Sequence, residues 1–201
     1  MAEPFRKDLT HLAWDEVYAR QVKRAHLVDE WMDSMQLKTG DRMLEIGAGP
    51  GYVSLVLAAR VGPRGCVYAV DRSSDALDHL ERLQQERGIS NIRRIVADAA
   101  TLNMADLEAG SALISMVLHH ADDPAGILNN VAQLLCPGAL TVVAEFHPEG
   151  PCEQGPPCAH RLRPEQVQAW AEAAGFRALG YRRQTPEHYM MLVRQNALSS
   201  I

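Results

Sequence analysis

The sequence has no excess of positive charge. It carries 20 Lys and Arg against 25 Asp and Glu, a formal net charge of −5 at pH 7. Proteins held mainly by the phosphates of nucleic acids need a basic excess, so we expect no nucleic-acid partner. Long apolar runs are missing too, because none approaches the roughly 18 residues that a membrane-spanning helix requires. The sequence therefore predicts no membrane span.

Cysteine is scarce as well. Four cysteines in 201 residues, at positions 66, 136, 152 and 158, are too few for a fold built on disulfides. Residues 1–8 lack the apolar segment of a signal peptide. Both observations favour the reducing cytoplasm as the compartment.

What the sequence does contain is an alternation of apolar runs with helical periods. Hydrophobic residues make up 47% of the chain and charged residues 22%, which fits a globular core. Apolar runs predict five strands, over residues 42–46, 66–70, 92–97, 112–118 and 140–146, with helices between them. A helix over residues 20–36 precedes them; a helix from residue 164 and two β-like runs, 176–183 and 188–194, follow. This order is typical of one α/β domain.

The most informative segment joins the first predicted strand to the next helix. It reads LEIGAGPGY over residues 44–52, with glycines at 47, 49 and 51. Glycines permit a sharp turn and let a ligand approach the backbone, and the following helix offers free N–H groups. A dinucleotide fingerprint would have its third glycine where Tyr52 stands, and its pyrophosphate would meet the like charge of Glu45. An ammonium or sulfonium group would instead be attracted by Glu45.

Two further carboxylates end the second and third predicted strands. Asp71 lies about 20 residues past the glycine loop, where an acidic residue of a doubly wound fold accepts hydrogen bonds from ribose hydroxyls. Asp98 ends the third strand, where a carboxylate can accept from an adenine amino group while the next backbone N–H donates to a ring nitrogen. Together with Glu45, these residues favour a cofactor that carries hydroxyls, an amino group and positive charge.

These motifs resemble those of the class I S-adenosylmethionine-dependent methyltransferases. The segments MVLHHADDP, residues 116–124, and LCPGAL, residues 135–140, are similar to the small-molecule branch that includes ubiquinone/menaquinone-biosynthesis and arsenite methyltransferases. The resemblance implies a Rossmann-like, doubly wound seven-stranded sheet of order 3-2-1-4-5-7-6, with strand 7 antiparallel. It implies a single methyltransferase domain, residues 1–201, made of an N-terminal helical lid (1–40), a cofactor-binding core (41–147) and a substrate-side connection, helix and edge hairpin (148–201).

The resemblance also implies which residues hold S-adenosyl-L-methionine and, after transfer, S-adenosyl-L-homocysteine. Asp71 would hold the ribose, and the adenine would be bordered by Arg72 and recognised by Asp98 and Ala99. Leu118 would touch the cofactor near its sulfonium. The methionine part would lie against the glycine loop, at Glu45, Gly47, Ala48, Gly49 and Gly51. Tyr18, in the N-terminal helices, is a further candidate for the cofactor's carboxylate.

The acceptor side is expected at the carboxyl ends of strands 4 and 5, where ligands of open α/β sheets bind. Candidates there are His119, His120, Glu145 and His147. We expect His119 or His120 to act as a base or to orient the acceptor, because histidine titrates near neutrality. His147 and Arg161 are expected to face the substrate. Residues 151–201 carry a net charge of +2 and the first 150 residues −7, a difference that solvated surface explains; the alternative is a small, anionic acceptor near the C-terminal part.

Residues 148–164 form a long connection rich in proline and glycine. It contains Cys152, Cys158 and His160 close to His147, and thiolate and imidazole together suit a soft metal or metalloid. The alternative is a proline-stiffened lid with incidental thiols. Because C-x5-C is not a zinc-finger spacing, we predict no metal.

Three functions remain open from the sequence. The first is methyl transfer from S-adenosylmethionine to a small molecule by in-line displacement. The second is a protein that binds this cofactor without transferring its methyl group. The third, an NAD(P)-dependent oxidoreductase, is disfavoured by Glu45 and Tyr52. A homodimer is compatible with each.

Overall fold

The computed structural model describes Lys7, Leu9, residues 11–104 and residues 107–196. Its helices are α1 (Trp14–Lys23), α2 (Ala25–Ser34), α3 (Tyr52–Val61), α4 (Ser74–Arg87), α5 (Pro124–Leu134) and α6 (Pro164–Ala173). Two short 3₁₀ turns lie at Leu118–His120 and Cys158–His160. The strands are β1 (Arg42–Ile46), β2 (Cys66–Asp71), β3 (Ile92–Val96), β4 (Ala109–Ser115), β5 (Leu135–Phe146), β6 (Phe176–Arg183) and β7 (His188–Gln195).

Within the described residues the strands form one seven-stranded sheet, in the order β3-β2-β1-β4-β5-β7-β6. Strands β1 to β5 are parallel, while β7 pairs antiparallel with both β5 and β6. This order and the single reversed strand confirm the fold expected from the resemblance.

Helices cover both faces of the sheet. Met43 of β1 belongs to the apolar layer under α2, α3 and α4, together with Trp31 and Leu80. The next residue, Leu44, belongs to the opposite layer, under α5 and α6, together with Val167. Because side chains alternate along a strand and both faces are buried, the central strands are mainly apolar, with a few buried polar residues such as Glu45 of β1 and Glu145 of β5.

The predicted helix over residues 20–36 is two helices. Arg24, at φ −98° and ψ 10°, leaves helical geometry and separates α1 from α2. The apolar stripe that predicted the helix is nevertheless buried, since Val28, Trp31, Met32 and Met35 all lie in the core. The break places α1 over the carboxyl end of the sheet, where it contacts α3 and α4.

Two strand boundaries also differ from the prediction. Strand β4 ends at Ser115 rather than at residue 118, because Met116 has a φ of 56° and turns the chain out of the sheet. Strand β5 begins at Leu135, directly after α5, and its register with β4 shifts before Leu140. The early end of β4 moves the two following histidines off the strand and into a tight turn.

The parallel strands end at the same edge of the sheet, where open α/β folds bind their ligands. The glycine loop follows β1, Asp71 ends β2, and Glu145 and Phe146 end β5. Among the described residues, we find no helix that combines the length and the apolar character needed to cross a bilayer.

Candidate active site

A cavity of about 1080 Å³ lies at this edge. Its walls come from α1, the glycine loop, the ends of β2 and β3, the turn after β4, and the connection after β5. The sequence-predicted residues that line it are Gly47, Gly49, Asp71, Arg72, Asp98, Ala99, His119 and His120. The volume suits a nucleoside cofactor and a small second ligand, because small-molecule sites measure roughly 300–1,000 Å³.

The glycine loop needs its glycines for two physical reasons. Gly47, Gly49 and Gly51 have φ values of 72°, 55° and 96°, in the left-handed region that disfavours side chains. A Cβ atom at Gly47 would also overlap the side chain of Val117, and one at Gly51 would overlap Leu80. The loop therefore packs closely against the turn after β4 and against α4.

Asp71 holds the loop in place from the end of β2. Its carboxylate accepts hydrogen bonds from the backbone N–H groups of Gly49, at 2.8 Å, and of Ser73, at 2.9 Å. Burial raises the pKa of Asp71, and the backbone donors act against that rise. Each oxygen accepts one of these bonds and retains a further lone pair.

Glu45 lies behind the loop rather than on the cavity wall. It is 2% exposed, and its carboxyl accepts a hydrogen bond from the hydroxyl of Ser54 at 2.5 Å. Burial raises the pKa of Glu45 to about 7, against the lowering effect of the Ser54 hydrogen bond. A cation bound in front of the glycine loop would favour the charged form of this carboxyl.

Glu145 and His119 form a buried pair at the end of β5. The Nδ1 atom of His119 lies 2.6 Å from one oxygen of Glu145. The other oxygen accepts from the backbone N–H groups of Leu118, at 2.7 Å, and Val117, at 3.1 Å. Burial would raise the pKa of Glu145, but His119 and these donors outweigh it and lower the pKa. The carboxylate fixes the orientation of the His119 ring.

His120 stacks beside this pair. Its ring centroid lies 4.1 Å from that of His119, and both rings line the cavity. Burial, followed by the neighbouring His119, lowers the pKa of His120 to about 4. His120 is therefore neutral at physiological pH.

Several residues expected to contact the cofactor do not line the cavity: besides Glu45, these are Ala48, Gly51, Leu118 and Tyr18. Leu118 is fully buried in the apolar layer under α5, because the turn after β4 directs it into the core and leaves Val117 on the wall. The hydroxyl of Tyr18 accepts from Arg87 at 3.2 Å, and its ring packs edge-on against Tyr52. Neither Leu118 nor Tyr18 lines the cavity.

Arg161 and His147, which were expected to face the acceptor, make their contacts within the connection after β5 and with the β6–β7 hairpin. The guanidinium of Arg161 is buried, pairs with Glu187 and donates to the carbonyls of His147 and Pro156, both at 3.0 Å. Nδ1 of His147 accepts from the backbone N–H of Glu149 at 3.1 Å. Neither Arg161 nor His147 lines the cavity. Arg161 instead anchors the connection to the β6–β7 hairpin.

The connection after β5 carries a disulfide between Cys152 and Cys158, whose Cα atoms are 5.7 Å apart. The expectation of incidental thiols is therefore wrong for this pair. No cluster able to hold a metal ion occurs in the part of the chain that the structure describes. Residues 154–156, between the two cysteines, line the cavity, and Gly155 packs against the ring of Phe146.

Gln21 of α1 was missed by the sequence reasoning. Its amide nitrogen donates to the carbonyl of Ala48 at 3.0 Å, and its amide oxygen accepts from the N–H of Tyr52 at 3.0 Å. Gln21 thus joins α1 to both sides of the glycine loop. A glutamine within an amphipathic helix gives no signal of such a contact, because its partners are distant in sequence.

Comparison with known proteins agrees with this geometry. The family model described as "Methyltransferase domain" matches residues 37–196. Over 81 residues, 40% of this chain and 41% of the relative, the chain is 35% identical to a protein-L-isoaspartate O-methyltransferase of Fervidobacterium nodosum. Over 124 residues, 61% of this chain and 53% of the relative, it is 30% identical to a demethylmenaquinone methyltransferase of Geobacillus kaustophilus.

A solved structure extends the likeness to the fold. The chain superposes on a SAM-dependent methyltransferase from Aquifex aeolicus with a TM-score of 0.82 and 18% identity, covering 92% of this chain and 99% of that one. The chain spans about half the length of the curated relatives that it matches.

Proposed function

Because the chain belongs to the methyltransferase domain family, we propose that it is an enzyme that transfers a methyl group from S-adenosyl-L-methionine to a small-molecule acceptor. One observation carries the proposal: a single cavity joins the glycine loop, Asp71 and Asp98 to a histidine that a buried carboxylate orients. When bound, the cofactor supplies a methyl group already activated on a sulfonium. The name of the Aquifex structure supports the same cofactor.

The residues on the cofactor side fit this group chemically. Asp71 would accept hydrogen bonds from the ribose hydroxyls, because each of its carboxylate oxygens keeps a lone pair beyond its bond to a backbone N–H. The adenine would lie against a part of the cavity wall formed by Arg72, Asp98 and Ala99. Gly47 and Gly49 line the cavity where the methionine part would lie, and Val117 occupies the wall position expected for Leu118. Glu45, from behind the loop, supplies negative charge opposite the ammonium and sulfonium.

His119 is the proposed base. Because its Nδ1–H donates to Glu145, its Nε2 carries the lone pair that can take a proton. Nε2 would take the proton of an acceptor O–H or N–H whose oxygen or nitrogen receives the methyl group that the bound cofactor would supply. His120, neutral and stacked on His119, shapes the site beside it.

Titration calorimetry with S-adenosylmethionine, S-adenosylhomocysteine and NAD tests the cofactor. We expect the first two ligands to bind and NAD to give no heat. Asp71→Asn should weaken both, whereas Asp78→Asn, a matched control on an exposed position of α4 outside the cavity, should not. Binding of NAD with no response to the other two would favour an oxidoreductase.

A screen of small acceptors that detects S-adenosylhomocysteine release tests the transfer itself. We expect at least one acceptor to raise release above the rate without acceptor, and His119→Gln to remove that increase while the cofactor still binds. Cofactor binding without release across the screen would favour the second function, a binding protein without transfer. A cytoplasmic location and a homodimer are further proposals; sedimentation velocity measures the second.

A further inference from the structure

Arg24 is a half-buried cation on the cavity wall, at the break between α1 and α2. Its guanidinium carbon lies 5.7 Å from the ring centroid of Phe146, and the same ring contacts His119 edge-on at 5.6 Å. Phe146 also meets the ring of His188 from β7, at 4.8 Å. The guanidinium therefore lies on the β5 side of the cavity, beside the proposed base.

The Arg24 guanidinium forms no ion pair and no hydrogen bond with the residues that the structure describes. Glu145 is the carboxylate whose charge raises the pKa of Arg24. Its oxygens are already hydrogen-bonded to His119 and to two backbone N–H groups. Burial, and to a smaller extent the positive charge of nearby Arg20, lowers the pKa of Arg24 to about 10. Arg24 therefore stays charged at pH 7. A partly desolvated charge that lacks a counter-ion gains strongly from an anion brought to it.

The other cations of the cavity differ from Arg24. Lys7 pairs with Asp122 at 2.8 Å. Arg20, Lys23 and Arg72 are exposed, so solvent screens them. Arg24 alone, among the cavity cations that the structure describes, combines partial burial, an aromatic ring under its guanidinium and no carboxylate partner. The planar fork of a guanidinium matches a carboxylate in two parallel hydrogen bonds.

We propose that Arg24 determines acceptor specificity by binding a carboxylate of the acceptor, which holds the nucleophile next to His119. This rests on the proposed function, and it names the acceptor class as a small carboxylic acid. The anionic acceptor that the charge distribution left open is retained, but the residue that meets it changes from Arg161 to Arg24.

The test uses benzoate and its neutral counterpart benzamide as probes, titrated into the whole protein saturated with S-adenosylhomocysteine. In the unaltered protein we expect benzoate to bind more tightly than benzamide. Arg24→Gln should weaken benzoate by about tenfold or more, the scale of a charge-assisted pair, and leave benzamide unchanged. Arg24→Lys should keep part of the preference for benzoate. Arg20→Gln, a matched control on the neighbouring helical turn, should leave both probes unchanged.

Three results would overturn the inference. Equal affinity of benzoate and benzamide in the unaltered protein would remove the anion site. An equal loss from Arg20→Gln would assign the effect to general charge. Weaker S-adenosylhomocysteine binding in Arg24→Gln, with benzoate unaffected, would assign Arg24 to the cofactor's own carboxylate. Absence of S-adenosylhomocysteine binding in the unaltered protein, which is measured first, would instead refute the proposed function.

Discussion

Replacing Glu145 with glutamine tests the proposed base most directly. The carboxylate accepts three hydrogen bonds, from His119 Nδ1 and from the N–H groups of Val117 and Leu118. A glutamine oxygen can keep the two backbone donors, but its NH₂ group then faces Nδ1. The His119 ring must respond by moving its proton to Nε2, where it can no longer take one from the acceptor.

The size of the effect follows from these contacts. A general base contributes about 10²–10⁴ to the rate, so kcat for Glu145→Gln should fall by that factor. The fold should lose about 1–3 kcal/mol for the imperfect replacement of a buried acceptor. At this chain length each kcal/mol lowers Tm by about 2–4 °C, so the variant remains folded at assay temperature.

The assay is S-adenosylhomocysteine release, with cofactor affinity measured separately by calorimetry. We expect kcat to fall while the Kd for the cofactor changes little. His119→Gln and the double variant should lose about as much as Glu145→Gln alone, because residues that act as a unit are not additive. A threefold or smaller loss of kcat, or a loss of cofactor affinity as large as that of kcat, would refute the assignment of His119 as base.

Three further changes have defined outcomes. The pKa of Glu45 rises from 4.5 in the unfolded chain to about 7 in the folded protein. Its contribution to the free energy of unfolding is therefore complete below pH 4.5 and is lost, on the order of 3 kcal/mol, as the pH rises to 7. Glu45→Gln should remove this pH dependence, which a comparison of Tm at pH 5 and pH 8 measures. Reducing the Cys152–Cys158 disulfide should speed amide hydrogen exchange at Gln154 and Gly155 and raise KM for the acceptor, with Cys152→Ser giving the same result without reductant. Gln21→Ala should weaken cofactor binding about tenfold and leave Tm within about 5 °C, by calorimetry and thermal unfolding.

The sheet and the glycine loop were predictable because their signals are local. A fully buried parallel strand must be apolar along its whole length, and a left-handed turn against a packed side chain must be glycine. Asp71 was predictable for the same reason, since its position at a strand end follows from the strand itself. Its bond to Gly49 spans only 22 residues of one βαβ unit.

The acceptor side was less predictable because its contacts are made across the fold. Arg161 forms an ion pair with Glu187, which lies 26 residues away on the hairpin. No local sequence pattern predicts that pair. The prediction for Leu118 was off by one residue. Met116 ends β4 at a positive φ, and the turn that follows places Val117 on the cavity wall and Leu118 in the core. Arg24 was not predicted as a site residue because the sequence pattern indicates one continuous helix there, whereas the structure has a break between α1 and α2 at this residue.

Gln21 holds α1 against the glycine loop through a contact that thermal motion can break. Its two hydrogen bonds to Ala48 and Tyr52 contribute a net of about 1 kcal/mol each, so detaching this contact costs only a few kcal/mol. Minor states at such energies hold about 0.1–10% of the molecules. Segment motions of this kind take microseconds to milliseconds, well inside a turnover of about 0.1 s. Under the proposed function, opening of this contact is fast enough to release S-adenosyl-L-homocysteine between cycles.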